Sequence, residues 1–222
     1  MTTKNTSIDL TTFRVIHRAL VRDARLLALV SAGWLDGPSP TAAQLRAVAD
    51  HFDHYFALLH HHHEGEDEII WPAVVESGGG EQATLDALTA DHRLLDPLLA
   101  RLPGSLHELA DRPTDRGLTA ELARDTAQLA DLLERHIDTE ERNLFPVISA
   151  SVTAARWRAV EKRLKRSLHP RHVGFMAAWI ASAAGPDEAR RLPLRPIARV
   201  ARRRYEWRAA VAFATPLVGS AS

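Results

Sequence analysis

The chain has 222 residues, 45% of them apolar and 25% charged, the balance of a globular protein with one good-sized core and room for an appendage. It contains no cysteine, which excludes disulfides, thiolate metal sites, iron–sulfur clusters and thiol catalysis. Its net charge of zero hides an asymmetry: residues 1–152 hold 13 Lys+Arg against 24 Asp+Glu (−11), and residues 153–222 hold 15 against 4 (+11), an acidic body followed by a basic tail.

The opening segment MTTKNTSIDLTTF lacks the basic and apolar regions of a secretory signal. The longest apolar run, VGFMAAWIASAAG at 173–185, is too short to span a bilayer, so a cytoplasmic protein is expected.

Leucine, alanine, arginine and glutamate dominate and β-branched runs are scarce, so helix is expected nearly throughout. A first helix begins after Asp9 or Thr12 and runs to about Ser31, with Phe13, His17, Leu20, Ala24 and Leu27 on one stripe. A second starts at Thr41 as N-cap and runs to about Glu76, with a kink or break near Trp71 because Pro72 lies inside it. A third covers about 81–102, stopped by Pro103-Gly104, and RLPGSLHELADRPTDRG forms the longest link. A fourth runs from near Leu118 past Pro146 to about Ala150.

Four such helices with short connections predict an all-α, up-down-up-down four-helix bundle over residues 8–152. Residues 153–222 form a basic helical C-terminal extension, with helices to Leu168, over about 172–184 and over about 187–210.

The run HHHHEGEDEIIWP at 60–72 offers several His and Glu pairs four apart, and an internal comparison separates them. Helix four contains HIDTEERNLFP, in which His136, Glu140, Phe145 and Pro146 repeat the spacing of His62, Glu66, Trp71 and Pro72. The preceding helices correspond as well: HRAL begins at His17 and HRLL at His92, 45 and 44 residues before the His of each pair. Residues four apart project from one helix face, so a His and a Glu from each of two helices can meet at one level of the core. The other two helices add His17 and His92. Buried charges are costly unless paired or bound to a metal, and bundle cores build carboxylate-bridged dimetal sites from such projections.

This layout resembles the hemerythrin-like family, the HHE cation-binding domain, over roughly residues 12–150. The resemblance implies a four-helix bundle with a non-haem di-iron centre, oxo- or hydroxo-bridged, and His17, His62, Glu66, His92, His136 and Glu140 as ligands. Manganese or zinc would also suit mixed imidazole and carboxylate donors. Oxygen-carrying members resemble a five-histidine site with two histidines four apart on the third helix. Here Leu88 and Asp96 occupy the positions flanking His92, so one histidine is missing. Four histidines leave more of the coordination sphere open than five, which favours ligand activation or exchange over simple carriage. Asp96, His63 and Glu64 are the candidates for an additional ligand.

His51, His54 and His60 are read as surface or ligand-supporting residues, and His61 and His63 as facing a helix interface or solvent, about 100° away from His62. His107, His169 and His172 are read as surface residues, and Asp67 and Glu141, each following a bridging Glu, as supports for the ligands. The expected function is binding or sensing of oxygen, nitric oxide or iron; the alternative is a di-iron redox enzyme reducing peroxide or nitric oxide. The basic tail is expected to dock on the acidic bundle or to bind an anionic partner such as lipid or nucleic acid.

Overall fold

A computed structural model describes residues 8–193 and 195–213. Helix α1 (Thr11–Asp36) is followed by α2 (Ala42–Gly65), whose N-cap Thr41 accepts a hydrogen bond from the Gln44 amide. A π-helical turn, Glu66–Ile70, joins α2 to α3 (Trp71–Val75). Pro72 is therefore absorbed by a local widening just ahead of it: the Trp71 amide reaches back five residues to the Glu66 carbonyl. The SGGG turn follows, with Gly78 and Gly80 at φ +73° and +82°, where a side chain would be strained.

Helix α4 (Gln82–Asp111) passes straight through Pro97 and Pro103, so Pro103-Gly104 does not end it and the expected long link shrinks to a short turn at 112–115. A proline inside a helix costs about 3 kcal/mol. Continuing the helix buries Leu106 and Leu109, at about 1.5–3 kcal/mol each, which is enough to override it. Helix α5 (Arg116–Ser151), capped by Asp115, likewise runs through Pro146.

α1 lies beside α5, α5 beside α4 and α4 beside α2, the neighbour pattern of an up-down-up-down bundle. Beyond it come α6 (Ala154–Ser167), α7 (Pro170–Ala183), α8 (Pro186–Arg191) and α9 (Arg195–Phe213). The expected single helix over 187–210 is thus two helices, interrupted where Pro193 cannot donate the next hydrogen bond.

α7 and α9 pack on each other and lie over α1 and α2, so Phe175, Trp179, Ile180 and Tyr205 share one core with Leu20, Phe52 and Tyr55. A buried carboxylate fastens this layer. Asp23 of α1 accepts from Trp179 Nε1 of α7 at 2.9 Å, from Arg22 Nε at 2.7 Å and faces His51 Nε2 of α2 at 3.3 Å. His51 and His172 are accordingly buried rather than superficial, because the C-terminal helices cover the face of α2 from which His51 projects. His172 meets His54 of that same helix, Nδ1 to Nδ1 at 2.9 Å.

Candidate metal centre

All six expected ligands are brought to one level of the bundle. α1 supplies His17, α2 His62, the π turn Glu66, α4 His92 and α5 both His136 and Glu140, and each is at most 8% exposed. Glu66 stands at the centre. Its Oε1 is 2.9 Å from His62 Nε2 and 3.9 Å from His17 Nε2; its Oε2 is 3.3 Å from His92 Nε2 and 4.0 Å from His136 Nε2. Glu140 Oε2 lies 3.2 Å from His17 Nε2.

One further residue joins them. His63 is buried, stacks on His92 with ring centroids 4.2 Å apart, and meets His136 edge-on at 5.6 Å. Neither of its ring nitrogens has a hydrogen-bond partner. The donor atoms fall into two groups, each within 4.8 Å: His17, His62, Glu66 and Glu140 in one, His63, His92 and His136 in the other. Of the other candidates for a further ligand, Asp96 and Glu64 are exposed, and Glu64 pairs with His60. Of the three candidates for an additional ligand, His63 is thus the one placed among the donors, and it lies at a helix interface. The internal repeat holds a signal for it, because the equivalent position in the second copy is the buried, apolar Ile137.

The repeat is closed crosswise. Asp67, next to Glu66, accepts from His92 Nδ1 at 2.9 Å and from the Thr89 hydroxyl at 2.8 Å. Glu141, next to Glu140, accepts from His17 Nδ1 at 2.9 Å and from Arg14 at 2.9 Å. A carboxylate only accepts, so Nδ1 of each ring carries the proton and Nε2 is the atom turned to the cluster. His136 Nδ1 is 3.6 Å from Asp91 Oδ2, an ion-pair separation rather than a hydrogen bond.

Burial opposes ionisation of Glu66, but attraction to His62 and the close approach of the His17 and His92 rings hold its carboxyl well below the usual range. Burial and the Glu66 charge push Glu140 well above it. Burial disfavours charge on His17, yet Glu140, Glu141 and Glu66 raise its imidazole to about 10. On the other side, burial drives His136 down to about 3 and His63 well below the ordinary value, leaving neutral rings with lone pairs to offer. Protons on Glu140 and His17 stand where a cation would otherwise balance two adjacent carboxylates.

The donor set fits a metal on a second count. Among the described residues thirteen buried side-chain N and O atoms lack a hydrogen-bond partner, and eight belong to His17, His62, His63, Glu66 and Glu140. An unsatisfied buried polar atom costs about 1–3 kcal/mol, so eight facing one another would consume a domain's entire stability of about 5–15 kcal/mol unless something ligates them.

A chamber of about 130 Å³ borders the cluster, with Phe13, Ile16, Leu58, Trp157, Met176 and Trp179 among its walls. Seven of its seventeen lining residues come from α6 and α7, and of the seven donor residues only His62 lines it.

A four-helix bundle that turns histidines and two carboxylates into one buried level is a histidine–carboxylate cation-binding bundle. A family model for the hemerythrin HHE cation-binding domain matches residues 9–148, and the chain belongs to that family. No curated protein and no solved structure gives a match. Helices α6 to α9 lie outside the matched range.

Proposed function

We propose that residues 8–152 hold two irons and bind a small uncharged ligand of the oxygen or nitric oxide kind at the two-histidine end of the cluster. In this reading α6 and α7 of the C-terminal extension act as a cover that completes the ligand chamber. The observation that carries the proposal is the grouping of donors on either side of Glu66, with the chamber reaching only the His17–His62 side.

In this reading His17 and His62 would hold one metal and His63, His92 and His136 the other, with Glu66 and Glu140 supplying the carboxylate oxygens. Imidazole and carboxylate donors together suit iron, and would also accept manganese or zinc. The bound pair would supply Lewis acidity and one-electron chemistry at an open position. The chain's own contribution is to orient and to exclude water. Asp67 and Glu141 fix the rings of His92 and His17, and Glu66 stays ionised between the two groups.

A fifth histidine leaves less of the sphere open than the four-histidine reading, which moves the balance from activation toward reversible binding. Reduction of peroxide or nitric oxide needs protons at the ligand. Phe13, Leu58 and Ile70 line the chamber and carry no proton to give, so one would have to come from Asp9, His61, Glu161 or Lys165, which line it as well. The test is an optical titration of iron-loaded protein with oxygen and nitric oxide, from anaerobic solution and back. Spectral changes that reverse when the gas is removed are expected. Sustained consumption of peroxide or nitric oxide with a supplied reductant would make the protein the redox enzyme instead.

A further inference from the structure

The basic tail does not spend its charge on the bundle. Among the described residues only Arg156 and Arg191 of the tail form ion pairs with bundle acids, Glu76 and Asp9. α9 seats itself instead through Ala198, Tyr205 and Ala212, while Arg199, Arg203 and Arg204 have no ion-pair partner among the described residues.

The same helix leaves apolar side chains in water. Seven large hydrophobic residues are exposed among those described, and four lie on this one helix: Ile197, Val200, Trp207 and Val211, with Val200 85% and Trp207 67% exposed. Single exposed apolar residues need no explanation, but these fall three, seven and four apart. At 100° per residue they form one stripe, with Arg204 within it and Arg203 beside Trp207. The stripe runs alongside the packing face, so the seated helix still presents it outward.

We propose that α9 is an interfacial helix that docks the protein on an anionic bilayer surface, with Ile197, Val200, Trp207 and Val211 entering the headgroup layer and the arginines engaging lipid phosphates. A bilayer with acidic headgroups rewards both halves of the helix at once. A nucleic acid would reward the arginines and leave the apolar stripe in water. A second copy meeting this face across a two-fold axis would set Arg204 and its neighbours against themselves. No helix among the described residues is long and apolar enough to cross a membrane, so this helix would lie on the surface.

The test is flotation of the full chain with vesicles of phosphatidylcholine alone and of phosphatidylcholine with phosphatidylglycerol. Of the five tryptophans Trp34, Trp71, Trp157 and Trp179 are buried, so quenching by brominated lipid reports Trp207. Binding to the acidic vesicles only, with Trp207 quenched, is expected. Arg199→Gln/Arg203→Gln/Arg204→Gln should weaken it roughly 100-fold, at about fivefold per arginine. Val200→Ser/Trp207→Ser should weaken it about tenfold or more. All five positions are exposed, so circular dichroism should show the fold unchanged. The proposal is overturned by no binding to acidic vesicles, by binding indifferent to the Val200/Trp207 pair, or by tighter binding to duplex nucleic acid that the serine variant leaves intact. Concentration-dependent dimers abolished by that variant would overturn it in favour of a second copy.

Discussion

Replacing His63 with leucine should change the stability of the metal-free and metal-loaded protein in opposite directions. The imidazole has two buried nitrogens without partners and stacks on His92. Leucine fills similar volume and carries no polar atom. Removing the unsatisfied nitrogens should stabilise the metal-free chain by about 1–3 kcal/mol. At about 2–4 °C per kcal/mol for a chain of this size, its melting temperature should rise by roughly 2–12 °C. The loaded protein loses one of three imidazoles on that side, and affinity should fall at least about 100-fold, or about 2.7 kcal/mol. Scanning calorimetry with and without chelator reads both, and a competitive chelator titration gives the affinity. A variant that melts higher in both states with an unchanged metal content would show that His63 is a core residue, and the five-histidine reading would fall.

Asp67→Asn and Glu141→Gln should each lower metal affinity about 10–100-fold while leaving the fold intact, since both side chains are partly exposed and act on His92 and His17; chelator competition measures this. Asp23→Ala strands Trp179 Nε1, Arg22 and His51 and should cost about 3–5 kcal/mol in thermal unfolding, whereas a loss below about 1 kcal/mol would mean the buried network does not hold the C-terminal layer. Burial, reinforced by His172 and Arg171 of α7, Arg208 of α9 and His51 of its own helix, lowers His54 to about 4. Its folded value lies below its unfolded one, so the unfolded chain binds more protons between them and stability rises with pH there. Acidification from about 6.5 towards 4 should therefore destabilise the protein, and His54→Gln should flatten that limb of a melting-temperature profile.

The bundle and the expected ligand positions were legible because two independent periodicities coincide. The helical stripe that buries Phe13, Leu20 and Leu27 also carries His17, and an internal repeat pairs each His-x-x-x-Glu with a single histidine 44 or 45 residues upstream. The path of α4 was not legible, since local chemistry at Pro103-Gly104 favours a stop and only tertiary burial of Leu106 and Leu109 reverses it. The burial of His51, read as surface or ligand-supporting, and of His172, read as surface, was not legible because α2 and the layer that carries His172 lie more than a hundred residues apart with no periodic link. The choice of His63 over Asp96 and Glu64 was not legible: one residue past His62 it points about 100° away on an ideal helix, yet the three-histidine group fills that side of the bundle. The chamber belongs to the same class, since half its wall lies beyond the repeat.

The central claim is a metal pair bridged by the two buried glutamates. Metal analysis with an anaerobic-to-aerobic optical spectrum, on the natural sequence beside Glu66→Ala and Glu140→Ala, tests it most directly. About two irons per chain, with near-ultraviolet bands that disappear in both variants, is the predicted result. Metal content near zero, or a single zinc unaffected by either substitution, would contradict it.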